Sequence, residues 1–244
     1  MVLTSKEEMK QPISEVYNED CMVGMGRYPD KWFDLAVVDP PYGIGEDGRK
    51  RDTRLVPSAK WKTPKANPYH VAEWDNNRPD AKYFAELRRV SKNQIIWGYN
   101  HFSDYLPPTT CVIVWDKEVS GDFSDCELAY GSFDKAIRKF TWLWDGFKKK
   151  VPEHRIHPTQ KPIALYKWLL TNYAKPGDRI LDTHLGSGSS RIAAWDMGFD
   201  FYGWELDVDY FAAMQKRFEA HISKPVLFAP DQMYRFEQAK MFED

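Results

Sequence analysis

Long apolar runs, cysteine pairs, internal repeats and any large net charge are all missing from this 244-residue sequence, and each absence removes a class of protein. No run approaches the roughly 18 residues that a bilayer-spanning helix requires. The start, MVLTSKEEMKQP, lacks the apolar core of a secretory leader, which points to an intracellular protein. Cys21, Cys111 and Cys126 stand far apart with no CxxC pair, so neither a disulfide framework nor a zinc knuckle is expected. His154 and His157 are close in sequence but have no cysteine or further histidine for company, and no metal site is expected there. Without a repeat period the chain is not a solenoid.

What is present is the composition of a folded chain. Hydrophobic residues make up 43% and aromatic residues 15%, far from the profile of a disordered protein. The length suffices for one large α/β domain or two small ones. Lys plus Arg number 34 against 36 Asp plus Glu, so the body exerts no overall pull on a polyanion. The distribution is uneven, however. Arg49, Lys50, Arg51, Arg54, Lys60, Lys62 and Lys65 face only Asp52, and a second cluster runs through Lys148, Lys149, Lys150, His154 and Arg155. Two local basic patches on a neutral body suit either a solvated surface or a local anionic partner.

Apolar periodicity predicts strands over residues 13–20, 34–42, 93–100, 110–117, 126–133, 139–146, 179–188 and 199–207. The continuous runs AVVDPP and RILD read as strands of a parallel sheet covered on both faces. Helical spacing is predicted over 79–92, 162–174, 189–198 and 208–222, with Pro162 in a first turn and Gly198 just past a helix end. The pattern is α/β, with an antiparallel-looking group between 110 and 146. Phe140, Trp142 and Trp144 alternate as the face of a sheet does. Residues 43–77 form a connection several-fold longer than usual, of the kind that carries function or is disordered.

Two segments carry chemistry. In the first, the strand LAVV runs into Asp39, Pro40, Pro41 and Tyr42. The prolines fix φ and remove two N–H donors, leaving a stiff, acceptor-rich corner at a strand's carboxyl end. Such a corner suits an exocyclic amino group, whose hydrogens Asp39 and the Pro40 carbonyl would accept, with the Tyr42 ring as a face for a planar base. In the second, RILD ends in Asp182 and enters a turn with Gly186, Ser187 and Gly188 before a helix. Glycines there allow a ligand to approach the backbone, and a downstream acid, Glu205, lies where a ribose would be held. The dinucleotide fingerprint is broken at Arg191, so a nucleoside without a pyrophosphate fits better.

DPPY at 39–42, HPTQKP at 157–162 and LDTHLGSGSS at 181–190 resemble the amino-methylating DNA methyltransferases that use S-adenosylmethionine. With DPPY ahead of the glycine motif, the order resembles their permuted, beta-type group. NEDCMVGM at 18–25 and IIWGYNHF at 95–102 are similar to segments of phage-like adenine-N6 members. The family's cofactor loop usually reads DPFxGSGT, whereas this chain has Thr183, His184 and Ser189 at the proline, phenylalanine and threonine positions.

The resemblance implies one domain over residues 1–244 with a circularly permuted, Rossmann-like α/β fold, its sheet mostly parallel with an antiparallel strand. It implies a target-amine site at Asp39, Pro40, Pro41 and Tyr42. It implies S-adenosylmethionine contacts from Asp20, Cys21, Asp39, Thr159, Lys161, Pro162, Asp182, His184, Gly186, Ser187, Gly188 and Glu205. Double-stranded DNA is the implied partner, with adenine N6 as target and cytosine N4, or a non-catalytic DNA-binding module, as alternatives. A target base must leave the duplex to be reached. Arg49, Lys50, Arg51, Lys60, Trp61, Lys62, Lys148, Lys149 and Arg155 are the candidate DNA contacts, Trp61 reading equally well as a core anchor. The basic loop 43–77 and a small insertion at 118–155 are the candidate recognition elements. A cytoplasmic, nucleoid-associated enzyme of a bacterial or phage-infected cell, with a homodimer as an option, completes the expectation.

Overall fold

The computed structural model describes residues 11–44, 75, 77–119, 124–144 and 153–224. Among them, strands β1 (Ser14–Tyr17), β2 (Phe33–Val38), β3 (Ser91–Trp97), β4 (Cys111–Asp116), β5 (Cys126–Gly131), β6 (Arg138–Thr141), β7 (Arg179–Asp182) and β8 (Asp200–Trp204) form one sheet in the order β1-β8-β7-β2-β3-β5-β4-β6. Helices α1 (Cys21–Met25), α2 (Ala81–Val90), α3 (Tyr99–Phe102), α4 (Ile163–Tyr173), α5 (Ser189–Asp196) and α6 (Val208–Ile222) accompany it.

The apolar runs explain the layering. Along β2, Leu35 and Val37 join one core while Ala36 and Val38 join the other, and Ile180 and Leu181 of β7 divide in the same way. A strand buried on both faces needs such an unbroken run. On the first face lie Leu165 and Leu169 of α4, Ala193 of α5 and Met214 of α6. The second is covered by Tyr83, Phe84, Leu87 and Val90, one stripe of α2. Asp80 starts α2 by accepting from the Lys82 and Tyr83 N–H groups at 2.9 and 3.2 Å. Full burial of a side chain such as Leu87 or Phe84 contributes about 1.5–3 kcal/mol.

Each predicted strand and helix appears, the helix over 208–222 with the predicted bounds and the others shorter. β2 stops at Val38, before the prolines that cannot donate to a ladder, and β7 stops at Asp182, where the glycine turn leaves the sheet. The predicted strand 93–100 ends at Trp97, because Gly98 takes a left-handed conformation (φ 76°) and starts α3. Pro162 caps α4 instead of sitting within its first turn. The antiparallel group expected between 110 and 146 reduces to one reversed strand. β5 pairs antiparallel with both β3 and β4, but β4 and β6 are parallel. The described part of 118–155 therefore supplies β5 and β6 of the sheet, and Phe140 and Trp144 bury in its core with Trp142 packed against them.

Topology places a crevice. β2 and β7 are parallel neighbours, yet β2 leads through α2 to β3 on one side and β7 leads through α5 to β8 on the other. Right-handed crossovers in opposite directions put α2 and α5 on opposite faces, so the carboxyl ends of β2 and β7 flank a topological switch point.

Candidate active site

A cavity of about 430 Å³ opens at that switch point, bordered by Asp39 and Pro41 after β2 and by Leu185, Gly186 and Ser187 after β7. The two chemistry-bearing segments of the sequence thus share one space.

At its amine-side wall, Asp39 is held from two directions. The Tyr42 hydroxyl donates to Asp39 Oδ1 at 2.6 Å, and Lys161 Nζ donates to Oδ2 at 2.5 Å. Lys161, 4% exposed, also lies 3.1 Å from Glu127 Oε2, and Glu127 pairs in turn with Lys117 at 2.8 Å. Burial pushes the Asp39 carboxyl up, opposed by the Lys161 charge. Burial would also raise Glu127, but the Lys161 and Lys117 ammonium groups outweigh it and hold this carboxyl at about 2. Lys161 is raised because Asp39 and Glu127 overcome its own desolvation. The Tyr42 ring stacks on His101 at 4.9 Å and 15°. Gly98 makes room for it, since a Cβ there would come within 2.3 Å of the Tyr42 ring.

The opposite wall is built from backbone. Glu205 accepts from the N–H groups of Gly186 at 2.8 Å and Asp207 at 3.0 Å, and burial raises its carboxyl. Asp20 caps α1 through the Met22 N–H at 2.7 Å while bordering the cavity beside Cys21, whose thiol burial pushes up to about 12. His184 meets Thr183 Oγ1 at 2.9 Å, and Thr183 meets the Tyr83 hydroxyl at 2.6 Å. Burial lowers His184 to about 4 and His157 to about 3, so both rings are neutral near pH 7. His157, Thr159 and Tyr210 complete the rim, with His157 edge-on to Tyr210 at 4.3 Å.

Several expected site residues lie behind the wall. Asp182 is turned into the protein, where Ser190 Oγ and the His184 N–H donate to it at 2.5 and 3.0 Å; burial raises its carboxyl to about 7. Gly188 caps α5 at φ 70° and packs against Met214, so it shapes the turn instead of facing the cavity. Pro162 caps α4, Pro40 is buried, and the Tyr42 ring is spent on His101 and Gly98, which leaves its hydroxyl as the working part. The Tyr42 face expected to receive a base is thus taken on one side by His101.

Of the expected DNA contacts, Arg49, Lys50, Arg51, Lys60, Trp61, Lys62, Lys148 and Lys149 lie outside the described residues. Arg155 donates to the Pro158 carbonyl within the HPTQKP turn. The long connection is closed at its base, where the Gly43 N–H donates to Asp75 at 2.8 Å beside the amine-side wall. Sequence reasoning missed Glu127, Lys117, Glu19 and Tyr166. The signal for Glu127 was present: an acid one residue into the otherwise apolar strand CELAYG.

No group of three or more His, Cys, Asp or Glu suited to a metal ion occurs among the described residues. Nor is any described helix long and apolar enough to cross a membrane.

Comparisons with known proteins bear on the fold and the family. Residues 112–216, from β4 into α6, match the N6/N4 methyltransferase family model, described as DNA methylase. YubD of Escherichia coli (strain K12), which carries the name of a methylase, is 28% identical over 218 residues, covering 85% of this chain and 91% of that one. The Type II methyltransferase M2.MboI of Moraxella bovis is 24% identical over 255 residues, covering 87% and 89%. The crystal structure of the M1.HpyAVI–SAM complex superposes with a TM-score of 0.53 at 19% identity, covering 83% of this chain and 98% of the other. The fold is that of the S-adenosylmethionine-dependent methyltransferases. Family model and relatives together support an S-adenosylmethionine-dependent DNA methyltransferase of the N6/N4 kind.

Proposed function

We propose that this chain methylates the exocyclic N6 of adenine in double-stranded DNA, as a member of the permuted, beta-type DPPY group. One observation carries the reading: Asp39 and the Gly186 turn, 147 positions apart by their numbers (186 less 39), border the same cavity. β2 also precedes β7 in the chain while lying beside it in the sheet, the order expected of a permuted member.

The cavity's donor set fits S-adenosylmethionine. Glu205, fixed by two backbone N–H groups, is poised for ribose hydroxyls. With Asp20 and Asp39 it surrounds the space with acidic groups that favour a sulfonium cation. When bound, that cofactor supplies a methyl group already activated by its positive sulfur. Asp20, Gly186, Ser187, Glu205, Thr159 and His184 would hold it.

An aromatic amine is a weak nucleophile because its lone pair is delocalised into the ring. Asp39, held by Tyr42 and Lys161, keeps an acceptor position on each carboxylate oxygen for the amine hydrogens, so they leave the ring plane and the lone pair is freed. On methyl transfer the amine nitrogen would carry a surplus proton, and Asp39, held beside it by Tyr42 and Lys161, would accept that proton. The neutral His184 and His157 add no repelling charge to the space. The flipped base exposes phosphates on either side, and the basic residues between Gly43 and Asp75 would meet them.

Cytosine N4 is the second reading, because the same acceptors hold either amine. Incubating the protein with mixed-sequence duplex DNA and methyl-labelled cofactor, then digesting to nucleosides, decides. Label on N6-methyladenine is the expected result, and label on N4-methylcytosine selects the second reading. DNA retention without label would identify a binding module.

A further inference from the structure

Asp39 belongs to a chain of four charges. Lys161 reaches from the turn before α4 to Asp39 at the end of β2 and to Glu127 on β5, and its ammonium lies 5.3 Å from the centre of the Trp97 ring on β3. Lys117, just past β4, closes the series on Glu127. Three strand ends therefore fix one ammonium group. Burying ions costs several kcal/mol each, and a packed apolar cluster would stabilise the fold as well or better, so stability alone does not account for this arrangement.

We propose that Lys161, braced by Glu127, is a positioning residue for the amine-binding carboxylate: it turns Asp39 toward the cavity and keeps it ionised with free lone pairs for the target N–H. The proposal rests on the methyltransferase reading above. A carboxylate has about four acceptor positions. Tyr42 takes one on Oδ1 and Lys161 one on Oδ2, which leaves one on each oxygen for a substrate.

Glu127 sets the strength of that hold. With both carboxylates present, the Lys161 charge is shared; without Glu127, all of it falls on Asp39. Tyr42 and Lys161 face Asp39 directly, Glu127 acts on it through space, and Asp182 and the buried phenols of Tyr83 and Tyr166 also sense its charge. Removing the cation and removing its second anion must therefore change Asp39 in opposite directions.

The test is the pH dependence of label transfer from saturating S-adenosylmethionine to mixed-sequence duplex DNA, with S-adenosylhomocysteine affinity measured alongside. The rate falls on the acid side as Asp39 gains a proton. In Lys161→Met this limb moves to higher pH by about one unit or more, the change typical of losing an opposite charge at this range. In Glu127→Gln it moves to lower pH, and Lys161→Arg stays near the wild type. S-adenosylhomocysteine affinity changes less than about threefold in each, well under the tenfold that 1.4 kcal/mol would give. Limbs that stay in place, or move the same way in Lys161→Met and Glu127→Gln, overturn the proposal. Should Lys161→Met fail to fold, Glu127→Gln decides alone: a limb moved down supports the proposal and an unmoved limb overturns it. A wild-type protein that transfers no label instead removes the methyltransferase reading, an outcome separate from these.

Discussion

The two walls of the cavity are built by different physics. On the cofactor side, backbone N–H groups of Gly186, Met22 and Asp207 are satisfied by Glu205 and Asp20, so the shape follows from where the chain turns. On the amine side, side-chain charges from β2, β5 and the turn before α4 meet in a buried network around Lys161. A backbone-built wall tolerates changes of side-chain type that leave the turn intact, and this one carries His184 and Thr183 where the related loop has phenylalanine and proline. A charge-built wall depends on each member, because losing one partner leaves the others buried and uncompensated.

The largest expected effect comes from the amine wall. Asp39→Ala should lower turnover by about 10²–10⁴-fold, the range for a positioned proton acceptor, while cofactor affinity stays within a few-fold; an equal loss in both would erase the distinction between the walls. Next, Glu205→Ala removes a charged acceptor from two N–H groups. That should weaken S-adenosylmethionine binding tens-fold, in line with about 1.5–3 kcal/mol for a charge-assisted bond, with turnover at saturation much less affected. Titration calorimetry beside steady-state kinetics checks both.

Smaller effects concern the scaffold of the cofactor wall. Gly188→Ala places a Cβ 2.5 Å from Met214 Cγ in a left-handed position, and should cost about 1–3 kcal/mol, seen as a lower urea midpoint with an unchanged slope. A second effect on the scaffold depends on pH and lies at Asp182. Its carboxyl is raised from 3.8 to about 7 by burial, so the folded state binds that proton more tightly than the unfolded state does. The resulting stabilisation is full below about pH 4 and is lost as pH rises through 7. The melting temperature of Asp182→Asn, compared with wild type, should therefore improve between pH 4 and 7; a constant difference would place the Asp182 proton elsewhere.

How much was legible in the sequence follows the same division. Continuous runs such as LAVV and RIL announce strands buried on both faces, and Gly198 marks a helix end, because these signals are local. DPPY and the glycine turn were readable for the same reason, each being a strand end with a stiff or permissive backbone. The network around Lys161 was not: Lys161 and Glu127 lie on separate elements, and nothing in the spacing says that β5 inserts between β3 and β4. Reversal of β5 alone was hidden too, since alternation of side chains reports a face and not a direction. Asp182 looked like a ligand contact because it ends a strand beside the turn, whereas Ser190 and the His184 N–H claim it from within.

Single-turnover transfer of labelled methyl from S-adenosylmethionine to duplex DNA by Asp39→Ala, read beside that variant's cofactor affinity, bears most directly on the shared cavity. The account requires binding close to that of the wild type with label on the exocyclic amine reduced at least about a hundredfold. Transfer at the wild-type rate would contradict it.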